Sequence, residues 1–283
     1  MTDNFKTLIF LFPHAVVAGV VISITCSILG VFTILKRVVF VGVTLSEVAA
    51  CGIALGMAYQ IQPFVGAITL TVAAVAVLSY PFEMHRIPRD AVLGVIFVFT
   101  SALGILVVSK SGFGLHEVKA LLYGDLILTS QGDLNVILAA LVPVLIYFLG
   151  FMRPTLYTFL DRESAKIMGI RVALWEFIYF FALGLTVSAA SKVAGAILIF
   201  CFLVVAPSAG LLLSRRLRWV MLIALCGGLV STFVGLYWSF RCDLPTNQAI
   251  SVTACLWFAV AAGVRYTQWM AARLMARMKQ GPG

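Results

Sequence analysis

G-V-T-L-S-E-V-A-A-C-G, Gly42 to Gly52, lies inside an apolar run that extends from Val38 to Tyr59. About 20 apolar residues, wound as a helix, cross a hydrocarbon core roughly 30 Å thick. Glu47 stands nine residues into the run, roughly 14 Å along a helix rising about 1.5 Å per residue. That is near the middle of such a core. A carboxylate there is costly, so it belongs on a bundle interior or a watery path and marks a functional position. The bland alternative is a structural hydrogen bond between helices. Val43 and Cys51 lie four residues either side of Glu47 and share its face. Ser46, Ala49, Ala50 and Gly52 are small enough to let another helix come close.

The rest of the chain agrees with a membrane reading. Of 283 residues, 62% are hydrophobic and 11% charged, against about 25% charged in soluble domains. Alternating ten-residue strands of a membrane barrel are absent. The expected fold is all-α: a polytopic helical bundle of eight to nine spans in a single transmembrane domain, 1–283. Nine apolar segments are read, at roughly 8–35, 38–59, 63–82, 91–109, 133–151, 172–190, 193–214, 218–240 and 247–264. The segment 193–214 contains Pro207 and is the candidate for a re-entrant piece, because broken helices are tolerated where they line a cavity. No cleavable signal peptide is read at the start.

The net charge of +9 does not indicate nucleic acid, because the basic residues are spread over short loops. Fifteen Lys and Arg fall on one side of the nine-span arrangement and five on the other. By the positive-inside rule the N-terminus is outside and the C-terminus in the cytoplasm. Six cysteines with no C-x-x-C pair argue against a disulfide framework or a zinc ribbon.

Two connections are long. The external one, about 110–133, carries His116, Glu117 and Asp125. These are candidates for an external gate or entry site, against a solvated loop with Asp125 as a cap. Val118 to Leu128 reads as an interfacial helix. The internal one runs from Phe151 to Arg171 around Asp161, Arg162, Glu163, Ala165 and Gly169. It reads as a capped, amphipathic short helix with Gly169 as its stop, suited to the membrane surface or to a groove in a cytoplasmic partner. No G-x-x-x-x-G-K-S/T loop occurs, so any ATPase is another chain. No nucleophile–base arrangement points to an enzyme.

Five stretches resemble the permease of the zinc/manganese/iron metal-uptake ABC transporters. They are Leu35 to Gly52, L-L-Y-G-D-L-I-L at Leu121 to Leu128, D-R-E-S-A-K-I-M-G at Asp161 to Gly169, Val193 to Gly210, and G-L-Y-W-S-F-R-C-D-L-P at Gly235 to Pro245. They occur in family order over almost the whole chain. The resemblance implies a homodimeric permease in the bacterial inner membrane, with a cytoplasmic ABC ATPase subunit docked near 153–171. It also implies an external solute-binding protein, ATP bound by the partner and no cofactor in this chain. The cargo would be a divalent metal moving by alternating access. Val43 and Glu47 stand where the family has Asp and His, Cys51 where it has Pro, and Thr246, Asn247 and Gln248 where it has Ser-Gly-Pro. The expected path residues are Ser46 and Glu47, with Glu47 and Cys51 as metal ligands. Two copies would present two oxygens and two sulfurs, a set that suits zinc. A different cargo on this scaffold, a secondary transporter with Glu47 as proton carrier, and a subunit with an assembly role are the alternatives.

Overall fold

The computed structural model describes residues 10–79, 89–110, 124–160 and 162–279. His116, Glu117 and Asp161 lie outside them, as does most of the expected Val118–Leu128 helix. Every regular element among the described residues is helical. In chain order these are α1 (Pro13–Leu35), α2 (Val39–Ala58), α3 (Pro63–Ser79) and α4 (Arg89–Lys110), then a 3-10 turn at Leu126–Leu128. They continue with α5 (Gln131–Leu160), α6 (Arg162–Ile167), α7 (Val172–Leu213), α8 (Leu217–Cys242) and α9 (Thr246–Lys279). Seven of them are long and apolar enough to cross a membrane, and α3 falls just short.

The 42 residues of α7 count once in that seven, yet the chain doubles back within them. Gly195 has φ 65 and ψ 167 and separates two helical legs. The Tyr179 hydroxyl donates to Leu29 O at 3.1 Å and bonds the Thr33 hydroxyl. A Cβ on Gly30 would fall onto the Leu203 carbonyl. Residues 179 and 203 would be about 36 Å apart on a straight helix, but both meet the same stretch of α1. The second leg, 196–213, is roughly 27 Å long at about 1.5 Å per residue, close to a full crossing. It is a return leg alongside α1 and α9 rather than a short re-entrant piece. With α3, this makes nine apolar legs among the described residues, in the places the hydropathy indicates.

The bend at Gly195 is held by polar contacts from α9 and α5, with the residues at the 3-10 turn packed against it. Asn247, in the first turn of α9, donates through Nδ2 to Val193 O (3.2 Å) and Ala194 O (3.0 Å). Its Oδ1 accepts from Leu126 N at 3.3 Å. Gly124, at φ 58, lies so close that a Cβ would strike Val193 O and Gly195 N. Beside them Lys192 Nζ meets Asp133 Oδ1 at 2.7 Å, and Asp133 caps α5 together with Ser130. Val193, Ala194 and Gly195 are buried, and buried carbonyls freed at a bend need such donors.

The second bend differs from the sequence expectation of a loop beginning at Phe151. Phe151 (φ −111, ψ 24) interrupts α5, but the helix resumes and runs to Leu160. Pro154 explains this. It cannot donate to the preceding turn, yet it suits the start of a new helical leg.

α2 is the most buried of the spans. It packs mainly against α3, α4 and α7, and 14 of its 20 residues are buried. Gly52 makes the closest approach: a Cβ there would overlap Gly66 O of α3. The small residues around Glu47 therefore serve helix crossings within one protomer.

Candidate translocation site

Many hydroxyls in this bundle bond carbonyls of their own helices. Thr33 bonds Leu29 O, Ser46 bonds Gly42 O, Thr100 bonds Ile96 O and Ser191 bonds Val187 O. Ser and Thr reach back one turn in this way, but a carboxylate accepts only and finds no donor among helix carbonyls. Glu47 must therefore look to another helix.

That helix is α4. Thr44 Oγ1 bonds Leu93 O (3.3 Å) as well as its own Phe40 O, and Ser101 Oγ donates to Glu47 Oε1 at 2.9 Å. A Cβ on Gly104 would lie 3.5 Å from the Cys51 Cα. The pairs 44–93, 47–101 and 51–104 rise together, so α2 and α4 run parallel along this seam. Glu47 is only 6% exposed, and its Oε2 has no hydrogen-bond partner among the described residues. The atoms gathered here are two carboxylate oxygens, the Cys51 thiol one turn on, and the Ser101 hydroxyl. They are acceptors and soft or hard donors to a cation, with no basic side chain among the contacts. No group of three or more His, Cys, Asp and Glu occurs among the described residues. Glu47 and Cys51 are the two side chains with cation-binding atoms that one protomer brings to this face of α2.

The other expected residues divide. Ser46 is completely covered, with its hydroxyl committed to Gly42 O at 2.9 Å, so it does not reach the Glu47 carboxylate's seam. Asp125 is exposed and its Oδ1 accepts from Ile127 N at 3.1 Å, which makes it the cap of the 3-10 turn. Glu163 is exposed on α6, and Ala165 is fully buried. Gly169 ends the turn at φ 75, where a left-handed backbone favours glycine. Ile167 (86% exposed) and Met168 (56%) point away from the bundle beside the charged Glu163 and Lys166.

Ser101 escaped the sequence reading. The signal was Thr100-Ser101 in the middle of the apolar α4, but nothing in spacing alone ties it to Glu47. Asn247 appeared only as a departure from a motif. A cavity of about 150 Å³ lies near the Lys192–Asp133 pair, lined by Ile53, Gln62, Phe64 and Ser188 among others. Ile53 is six residues beyond Glu47, about 240° round the helix, so this cavity opens on a different face of α2.

Comparison with known proteins agrees with this architecture. The chain is similar to the manganese transport system membrane protein MntC of Halalkalibacterium halodurans, with 27% identity over 88% of this chain and 85% of that protein. It is 26% identical to the high-affinity zinc uptake system membrane protein ZnuB of Haemophilus influenzae, over 89% of this chain and 96% of that one. Its fold is shared with a chain of PsaBC from Streptococcus pneumoniae, solved in complex with Fab. That match has a TM-score of 0.83 and 22% identity, over 92% of this chain and 95% of the other. The ABC 3 transport family model matches residues 9–265, nearly the whole chain, and the protein belongs to that family.

Proposed function

We propose that this chain is the membrane permease of an ATP-driven importer for a divalent transition-metal cation. The observation that carries the proposal is the buried Glu47 carboxylate. One of its oxygens is held by Ser101, and the other has no partner among the described residues. The names of its relatives, for manganese and for zinc, support a metal cargo. A cation supplies what the second oxygen lacks, and the carboxylate must be deprotonated to bind it. Ser101 keeps Glu47 turned toward α4, and the Cys51 thiol adds a soft donor that favours zinc over manganese.

The protein works as a two-fold pair, so that Glu47 and Cys51 are each presented twice. The basic loops, including that of α6, face the cytoplasm, with the N-terminus outside. The exposed Ile167 and Met168, flanked by charges, form the face that receives the ATPase. ATP is hydrolysed in that partner, and this chain contributes the passage. A solute-binding protein delivers the cation on the opposite side.

The test is transport in proteoliposomes containing this chain and its ATPase. ATP-dependent accumulation of radiolabelled zinc or manganese is expected, lost when the ATPase is omitted. Accumulation driven by a proton gradient without ATP would establish a secondary transporter instead.

A further inference from the structure

The turn between α1 and α2 is short and stiff. Arg37 N donates to Ile34 O (2.9 Å), Val38 N donates to Thr33 O (3.1 Å), and Arg37 is left-handed at φ 60. The C-terminus of α1 and the start of α2 therefore move as one piece. Lys36, in this turn, is a buried cation: its side chain is 12% exposed. Its Nζ lies 3.1 Å from Glu176 Oε1 in the first leg of α7. It also lies over two rings, 4.6 Å from the centroid of Phe159 and 4.5 Å from that of Phe180.

These partners sit on two elements. Phe159 is in the last turn of α5, while Glu176 and Phe180 are near the start of α7. α6 joins those two ends and packs against both. Lys36 is thus wedged between the two supports of α6, while its own backbone leads straight into α2, eleven residues before Glu47. The Tyr179 ring packs edge-on against Phe159 at 4.8 Å, so the two supports also hold each other. A buried cation is a costly way to fill such a wedge, and a long apolar side chain would pack there without the desolvation penalty. What the charge adds is direction: it fixes one turn of α1 to one carboxylate and two ring faces.

We infer that Lys36 is a positioning residue that transmits displacement of α6 to the helix carrying Glu47. This rests on the reading of α6 as the ATPase-docking element. Coupling of this kind passes through contiguous packed and ionic contacts, and Lys36 joins the α1–α2 turn to both supports of α6.

The complex of this chain with its ATPase, reconstituted in vesicles, gives the test through metal ions moved per ATP hydrolysed. Lys36→Met keeps the length of the stem and removes the charge. It is expected to leave assembly and ATP hydrolysis in place while lowering that ratio about tenfold, a typical coupling factor. Lys36→Arg is expected to restore most of it. Glu176→Gln, which leaves Lys36 intact, should lower it in the same direction. If Lys36→Met does not give a folded complex, the Glu176→Gln ratio decides alone. An unchanged ratio in the variants would overturn the inference. Loss of transport in strict proportion to thermal stability would overturn it too, by reducing Lys36 to packing. Failure of the wild-type chain to assemble with the ATPase would instead remove the docking reading, before any variant is examined.

Discussion

Asn247 and Glu47 are both polar, both buried and both committed to another helix, but they are treated oppositely. Asn247 uses both ends of its amide. It gives two hydrogen bonds to the carbonyls released at the Gly195 bend and takes one from the Leu126 N–H. Glu47 uses one oxygen, toward Ser101, and leaves the other buried and unmatched. The bundle also leaves hydroxyls of Ser27, Thr71, Thr186 and Ser188 unmet, but an ionised carboxylate costs far more to bury than a hydroxyl, so a chain built only for stability would not keep an acid there. The difference separates a polar group that holds the bundle together from one kept ready for a visitor.

The two positions should therefore fail in different ways. Asn247→Leu leaves Val193 O, Ala194 O and Leu126 N without their side-chain partner. It should cost about 3 kcal/mol or more of stability, at about 1–3 kcal/mol per unmet buried group. Thermal unfolding of the purified protein would read this as a large fall in melting temperature. An Asn247→Leu protein as stable as wild type would mean that the bend holds itself.

Gly52→Ala is next. The added methyl meets the Gly66 backbone across the α2–α3 crossing, and overpacking of this kind costs about 1–3 kcal/mol. It should shift the melting temperature less than Asn247→Leu, with transport reduced because α2 is pushed out of register with α4. An Ala tolerated without any shift would show that the crossing has slack.

Cys51→Ala is smaller again, about 1 kcal/mol for a buried thiol losing its packing. Its sharper effect should be on selectivity, with zinc uptake falling more than manganese uptake. Equal loss for both metals would remove the thiol from the cargo's coordination and leave it as packing against Gly104.

The sequence made α2 and its acid legible because a carboxylate at that depth has few explanations. Gly169 was legible too, as a helix stop that only a left-handed residue makes cheaply. The Ser101–Glu47 bond was not, because it joins positions 54 residues apart through a contact that no local period encodes. The bend at Gly195 was legible as the gap between the apolar segments 172–190 and 193–214, where Ser191 and Lys192 stand, but nothing in the sequence tied Asn247 to it. Lys36 read as one more topology charge. Burial against Glu176, Phe159 and Phe180 gives it a specific place. Phe151 marks a kink rather than the helix end, since Pro154 begins a second leg that hydropathy alone does not distinguish from a loop.

Glu47→Gln is expected to have the smallest effect on stability and the largest on function. The amide keeps the size of the side chain and can still accept from Ser101. The melting temperature should stay within the range of wild type, as should assembly with the ATPase. The decisive measurement is ATP-dependent accumulation of zinc and manganese by Glu47→Gln, normalised to folded complex and run beside the wild type. Accumulation at background for both metals, in a protein that unfolds at the wild-type temperature, is the predicted result. Wild-type accumulation would contradict the account: the unmatched oxygen of Glu47 would not be where the cargo passes.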